Sequence, residues 1–216
     1  MKENLKSLFK GSLTVPNLLS VIRILLIPVF GVLFYRGHIG WAVIILVISG
    51  LTDFFDGKIA RKFNQISELG KMLDPVADKL TQITIAIVIF LEFNKSSDPT
   101  MQWFKWVFLF FLFQELLMVV IGAIMLACGL RPVAAEIYGK VATFVFYAVM
   151  VLVIAFGPEI GALRTWFTLP DFVMIPLVIL AAVLTFVALL SYAPPTYKQF
   201  KEKKAAQNAK KESEEK

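Results

Sequence analysis

The sequence predicts an all-α membrane protein with six transmembrane helices, an N-terminal amphipathic helix and both termini in the cytoplasm. Hydrophobic residues make up 58% of the 216 residues and charged residues only 18%, a balance that excludes an ordinary soluble domain. A helix needs about 20 apolar residues to cross the hydrocarbon core of a bilayer. Six stretches meet this requirement, at residues 18–36, 41–60, 72–92, 104–127, 138–156 and 172–192.

The distribution of positive charge predicts the orientation of these spans. With six spans, both termini lie on one side of the membrane, together with the loops after the second and fourth spans. That side carries 15 Lys and Arg residues and the other side four, and such an excess marks the cytoplasmic side. We therefore expect a multi-pass protein of the cell membrane. The net charge of +6 reflects this bias, so no nucleic-acid partner is expected.

The two ends of the chain differ from its apolar centre. Residues 2–10 alternate charged residues with Leu5, Leu8 and Phe9, a spacing typical of a short amphipathic helix on an anionic membrane surface, although a frayed terminus fits equally well. Residues 196–216 are rich in Lys, Glu, Ala and Gln and are too polar to form a packed core. We divide the chain into a membrane domain at 1–195 and a charged cytoplasmic tail at 196–216.

Four aspartates fall within 26 residues, at Asp53, Asp56, Asp74 and Asp78. Residues three or four apart share one helix face, so each pair forms an acidic stripe at the cytoplasmic end of its helix. Carboxylates near hydrocarbon are costly and indicate function, and four of them cannot all ionise together without bound cations. An all-oxygen ligand set suits Mg²⁺, Mn²⁺ or Ca²⁺ rather than zinc. The pattern predicts a metal site that faces the cytoplasm, with two divalent cations.

Small residues and one arginine lie beside the aspartates. They are Gly57, Ala60 and Arg61 in the second span and Gly70 at the start of the third. Small side chains leave room next to the cations for a bulky ligand, and the planar guanidinium of Arg61 matches the geometry of phosphate. The ligand implied by this arrangement is a diphosphate.

The fixed positions read Asp53-x-x-Asp56-Gly57-x-x-Ala60-Arg61 and, after eight residues, Gly70-x-x-x-Asp74-x-x-x-Asp78. In this order they resemble the complete signature of the CDP-alcohol phosphatidyltransferases, and the chain is most similar to the bacterial phosphatidylglycerophosphate synthases of that family. The resemblance implies transfer of a phosphatidyl group from CDP-diacylglycerol to an acceptor alcohol, with release of CMP. The leading acceptor is glycerol 3-phosphate, and the cofactor is Mg²⁺ or Mn²⁺.

The resemblance also implies roles for individual residues. Asp53, Asp56 and Asp74 are expected to be metal ligands. Asp78 is expected to be both a metal ligand and the catalytic base that takes the proton of the acceptor hydroxyl. The implied CDP-lipid-binding residues are Gly57, Ala60, Arg61 and Gly70.

Cations on the cytoplasmic side are the candidate acceptor-binding residues, and these are Arg23, Arg131 and Lys140. Gln114 departs from the family pattern, because similar proteins commonly carry Arg at this position. The neighbouring Glu115 is expected to orient a metal ligand or a basic partner. The resemblance further implies a homodimer in the lipid bilayer.

Three alternatives stay open at this stage. A cardiolipin synthase of the same family would use phosphatidylglycerol as the acceptor. An intramembrane prenyltransferase also binds a Mg²⁺-diphosphate at Asp-rich motifs, but those enzymes have more spans and lack the Gly-x-x-Ala-Arg continuation. A cation or proton transporter would place carboxylates along a pathway, whereas these aspartates cluster at one membrane face with no acidic relay on the other side.

Overall fold

The computed structural model describes residues 14–63, 65, 67–128, 130 and 137–214, and within them the chain is helical without a strand. The amphipathic helix predicted at residues 2–10 lies outside the described residues. Each of the six apolar stretches falls in one helix of the series α1 to α6. The helices of the described chain are α1 (Val15–Tyr35), α2 (Ile39–Lys62), α3 (Glu68–Lys95), α4 (Pro99–Ala127), α5 (Ile137–Phe156), α6 (Asp171–Ser191) and α7 (Ala193–Glu214).

Five spans among the described residues are long and apolar enough to cross a membrane. The helix α3 is also long enough, at 28 residues, but Asp74, Asp78 and Lys79 lie in its first half and lower its hydropathy. The chain is therefore a multi-pass, all-helical membrane protein, while the sixth span and the side on which the termini lie stay predictions. The five spans are Val15–Tyr35, Ile39–Ala60, Pro99–Met125, Gly139–Phe156 and Asp171–Ala205.

Local signals in the sequence explain where the first helices begin and turn. Thr14 caps α1 by accepting a hydrogen bond from the Asn17 backbone N–H, which satisfies a donor that a helix start leaves without a partner. Ser67 caps α3 in the same way, at 2.9 Å from the Gly70 N–H. Gly37 has a φ of +78° in the turn between α1 and α2, a conformation that glycine adopts without steric cost. The turn at Gly37 lets α2 run back along α1, whereas α3 runs in the same direction as α1 and packs against it.

The helix α1 packs between α2 and α3. The helix α3 also packs against α4, and α5 packs against α2 and α6. The start of α1, the end of α2 and the start of α3 therefore meet at one end of the bundle. We call this the acidic end, because it contains the four aspartates.

Phenylalanine side chains fill the opposite half of the bundle. Phe108 lies on α4, with ring centroids 5.5 Å from Phe93 of α3 and 6.2 Å from Phe111. Phe111 in turn stacks edge-on with Phe146 of α5 at 5.0 Å. Edge-to-face pairs at these distances are favourable beyond the area that they bury. This aromatic core joins α3, α4 and α5 away from the aspartates.

The outer surface of the bundle suits lipid. Large apolar side chains such as Leu25, Phe113 and Phe144 are exposed on different helices. The four tryptophans of the chain are exposed too, and all lie at the end opposite the aspartates. Tryptophans gather at membrane interfaces because the indole has an apolar body and a polar N–H. The positions are Trp41, Trp103, Trp106 and Trp166.

The helix α7 continues the chain beyond α6 and contacts the end of α4. The Lys203 ammonium donates a hydrogen bond to the Cys128 carbonyl, and the Thr196 hydroxyl lies 3.6 Å from the Met125 sulfur. A cation beside the last carbonyls of a helix is favourable because those groups carry partial negative charge. The first part of the tail is thus packed against the bundle.

Replacing Phe108 by Ala tests the aromatic core. We expect Phe108→Ala to lower the free energy of unfolding by about 3 to 5 kcal/mol, because it leaves a cavity among three helices. The matched control is Phe113→Ala on the same helix, where the side chain is exposed. The measurement is thermal unfolding in detergent, and equal losses for both variants would contradict this packing.

Candidate active site

A single arginine joins the three helices at the acidic end. The Arg23 side chain is completely buried, at 0% exposure, and its Nη1 atom lies 2.7 Å from Asp53 Oδ1 and 2.7 Å from Asp78 Oδ1. Its Nη2 atom pairs with Asp56 Oδ2. A buried guanidinium is tolerated only when carboxylates compensate its charge. Carboxylates from α2 and α3 therefore converge on one side chain of α1.

The fourth aspartate is held by the same face of α1. Asp74 Oδ1 accepts a hydrogen bond from Ser20 Oγ at 2.5 Å, and Ser20 precedes Arg23 by three residues. Asn17 is a further three residues back, is buried, and accepts a hydrogen bond from Ser67 Oγ at 2.8 Å. Side chains three apart lie on one helix face. These polar residues recur every three positions in an otherwise apolar helix. That pattern could have indicated Asn17 and Ser20, which were not among the predicted site residues.

The donor chemistry of the acidic end fits a divalent cation. Four carboxylates lie around one guanidinium, and carboxylate oxygen is the preferred ligand of Mg²⁺ and Mn²⁺. The side chains of Asp53 and Asp78 are 44% and 30% exposed, so ions and water-soluble groups reach them. Within the described residues, no three acidic, His or Cys side chains are arranged around a common metal position, because Arg23 lies between three of the carboxylates.

Gly70 allows the close approach of α1 and α3. A Cβ atom at this position would collide with Asn17 Oδ1 and would lie 3.1 Å from Ser67 Oγ. Packing alone therefore explains glycine at position 70, without any ligand. The contact of Gly70 with a CDP-lipid stays a prediction.

The remaining candidate residues occupy different places. Ala60 lies on α2 one turn beyond Asp56 and is partly buried. Gly57 and Arg61 belong to the same helix, but their side-chain surroundings lie outside what the structure describes. Lys140 is exposed in the first turn of α5, and Arg131 lies outside the described residues. Arg23, predicted to bind an acceptor, lies among the aspartates. The ligand roles of these residues stay predictions.

A layer of mostly buried polar side chains begins on α3 directly after Asp78. The Gln82 amide, in the orientation that satisfies its hydrogen bonds, donates to Glu115 Oε1 at 2.8 Å and Oε2 at 3.0 Å. Lys79 Nζ lies 2.7 Å from Glu115 Oε2, which confirms the expectation that Glu115 orients a basic partner. The Tyr147 side chain of α5 lies close to Thr81. We call Lys79, Thr81, Gln82, Glu115 and Tyr147 the polar layer.

The residues at the acidic end belong to a stretch that matches a known family. A family model for CDP-alcohol phosphatidyltransferase matches residues 13–187, which include the acidic end and most of the helices. The chain belongs to the CDP-alcohol phosphatidyltransferase family. The resemblance in the aspartate motif is thereby confirmed.

Curated relatives in this family have two kinds of name. The chain is 42% identical over 135 residues to a putative cardiolipin synthase of Mycobacterium tuberculosis, covering 62% of this chain and 61% of the relative. It is 35% identical over 152 residues to a CMP-forming cardiolipin synthase of Streptomyces coelicolor, covering 67% of each. It is 40% identical over 87 residues to a CDP-diacylglycerol–glycerol-3-phosphate 3-phosphatidyltransferase of Rickettsia typhi, covering 39% and 49%. The chain thus spans about 61% of the length of the mycobacterial relative.

Replacing Gly70 by Ala tests the contact between α1 and α3. We expect a loss of about 1 to 3 kcal/mol in the free energy of unfolding, the usual range for overpacking. The control is Gly50→Ala on α2, where an added Cβ meets nothing within 4 Å and the helix gains propensity. Thermal unfolding in detergent distinguishes them, and a Gly70→Ala protein as stable as the control would contradict the close approach.

Proposed function

We propose that this protein transfers a phosphatidyl group from CDP-diacylglycerol to an acceptor alcohol and releases CMP. The observation that carries the proposal is the convergence of Asp53, Asp56 and Asp78 on Arg23, with Asp74 beside them on Ser20. These are the four aspartates of the family motif, brought to one end of the bundle by three helices. Membership of the family supports this transfer over the transport of cations or protons.

The reaction has one bond made and one bond broken. The acceptor hydroxyl oxygen attacks the phosphorus that carries the diacylglycerol, and the bond from that phosphorus to the oxygen of the CMP group breaks. The hydroxyl proton passes to the Asp78 carboxylate and then to water. Asp78 suits this task because its side chain is partly exposed, at 30%, and a base must reach the proton that it takes.

The same aspartates are proposed to hold two divalent cations, Mg²⁺ or Mn²⁺. When bound, such ions neutralise the diphosphate and the charge that develops on it during transfer. Asp53, Asp56 and Asp74 would be the principal ligands, and Asp78 a shared one. Gly57, Ala60, Arg61 and Gly70 would then contact the CDP-lipid.

The acceptor has two candidates. Glycerol 3-phosphate is the first, because the motif and its neighbours are most similar to phosphatidylglycerophosphate synthases. Phosphatidylglycerol is the second, because the relatives with the longer matches are named cardiolipin synthases. In either case Arg131 and Lys140 would bind the acceptor phosphate. We further propose a homodimer in the cell membrane with the acidic end at the cytoplasmic face.

The proposal is tested by measuring CMP release from CDP-diacylglycerol by the purified protein. The acceptors are glycerol 3-phosphate, phosphatidylglycerol and none. We expect release that requires one of the two acceptors, stops in excess EDTA and returns with Mg²⁺ or Mn²⁺. Full activity in excess chelator would contradict the metal proposal. Absence of acceptor-dependent release, together with ion flux in proteoliposomes, would replace the transferase by a transporter.

Substitution of Asp78 separates binding from chemistry. We expect Asp78→Asn to lower kcat roughly 100-fold or more, because the amide has the same size but takes no proton. Binding of CDP-diacylglycerol should stay within a few-fold. The control is Asp98→Asn, since Asp98 caps the start of α4 by accepting the Thr100 N–H at 2.8 Å, far from the acidic end. Lost binding in Asp78→Asn would make Asp78 principally a metal ligand.

A further inference from the structure

The polar layer contains an ion pair between α3 and α4. Lys79 Nζ lies 2.7 Å from Glu115 Oε2, and the two side chains are 25% and 7% exposed. Glu115 lies in α4, a span of high hydropathy, where an ionised carboxylate is costly. Apolar residues of similar size often stabilise a protein more than a buried ion pair does. The pair therefore calls for a reason other than stability.

The geometry of Glu115 is unusually well fixed. Oε1 accepts a hydrogen bond from the Gln82 amide, and Oε2 accepts from both Gln82 and Lys79. Since both oxygens have partners, rotation of the carboxylate would break contacts on α3. Gln82 lies four residues after Asp78 and so shares its helix face. Glu115 thus holds in place the ammonium of Lys79, the residue that follows Asp78 on α3.

The position of Lys79 suits a substrate phosphate. Lys79 follows Asp78 in the chain, and its side chain is partly exposed while its partner is buried. An ammonium has three N–H donors, so one ion pair leaves capacity for a further acceptor. A fixed cation beside a reacting phosphate stabilises the charge that develops during transfer, and it does so without reorganisation at that moment.

We infer that Glu115 is a positioning residue that holds Lys79 beside Asp78, where the Lys79 ammonium stabilises negative charge on the phosphate being transferred. This inference rests on the proposed phosphatidyl transfer. An interaction that is stronger in the transition state than in the bound substrate changes kcat rather than KM. A pair that only joins α3 to α4 would change the stability of the protein and leave kcat per folded molecule unchanged.

The experiment compares Lys79→Met, Glu115→Gln and the charge-swapped double variant Lys79→Glu/Glu115→Lys. The readouts are kcat and KM for CMP release, normalised to folded protein, and the temperature of unfolding. We expect kcat to fall roughly 100-fold in Lys79→Met and about tenfold in Glu115→Gln, with KM for CDP-diacylglycerol within about threefold. The double variant should regain thermal stability but not kcat, because its cation has moved to α4.

The matched control is Glu92→Gln on the same helix. Glu92 pairs with Lys95 at 2.9 Å at the far end of α3, so its loss should leave kcat unchanged. Wild-type kcat in Lys79→Met, or recovery of kcat in the double variant, would overturn the inference. If Lys79→Met does not fold, the isosteric Glu115→Gln variant becomes the test. A wild-type kcat in that variant would then overturn the inference. If the wild-type protein itself releases no CMP with either acceptor, the proposed function fails instead.

Discussion

The acidic end depends on the compensation of charge in an apolar surrounding. Arg23 has no exposure and contacts carboxylates of α2 and α3, so α1 can occupy only one register relative to both neighbours. Removing a single member of such a buried group leaves an uncompensated charge, which costs more than the group contributes when intact. The three helices are therefore positioned by the same groups that form the candidate active site. Stability and site geometry are coupled at this end of the bundle.

The opposite end of the bundle is stabilised differently. There the aromatic core around Phe108 packs α3, α4 and α5 through ring contacts, and such contacts place no titratable group near a substrate. Because the aromatic core supplies the tight packing, the carboxylates at the acidic end can stay partly exposed. The polar layer with Glu115 and Gln82 lies between these two regions and connects α3 to α4 directly beneath Asp78.

Sequence patterns predicted the features that belong to one helix at a time, namely which segments are helical and which residues share a helix face. Six apolar stretches correspond to α1 to α6, and the three- and four-residue spacing of the aspartates predicted their common face. Contacts between helices are not encoded in such periodicity. Three features could be found only from the packing of α1, α3 and α5. They are the partners of Arg23 and Ser20, the collision that glycine at position 70 avoids, and the closeness of Tyr147 to Thr81. Residues 72–92 of α3 were predicted as a span, but the charged residues of the candidate site lower the hydropathy of this helix, so it is not among the five spans of the described chain.

The choice of acceptor depends on where positive charge is available. Arg23 is bound to three carboxylates, and Lys79 pairs with Glu115 and is assigned above to the transferred phosphate. A dianionic acceptor such as glycerol 3-phosphate would therefore need other cations. Gln114, adjacent to Glu115, is buried, and within the described chain neither of its amide atoms has a hydrogen-bond partner. A neutral amide contributes hydrogen bonds but no charge, so Gln114 would not offset the two negative charges of such a dianion. Under the proposed function, glycerol 3-phosphate would depend on Arg131, Lys140 or bound divalent cations. Phosphatidylglycerol, a phosphodiester with one negative charge, would need less positive charge.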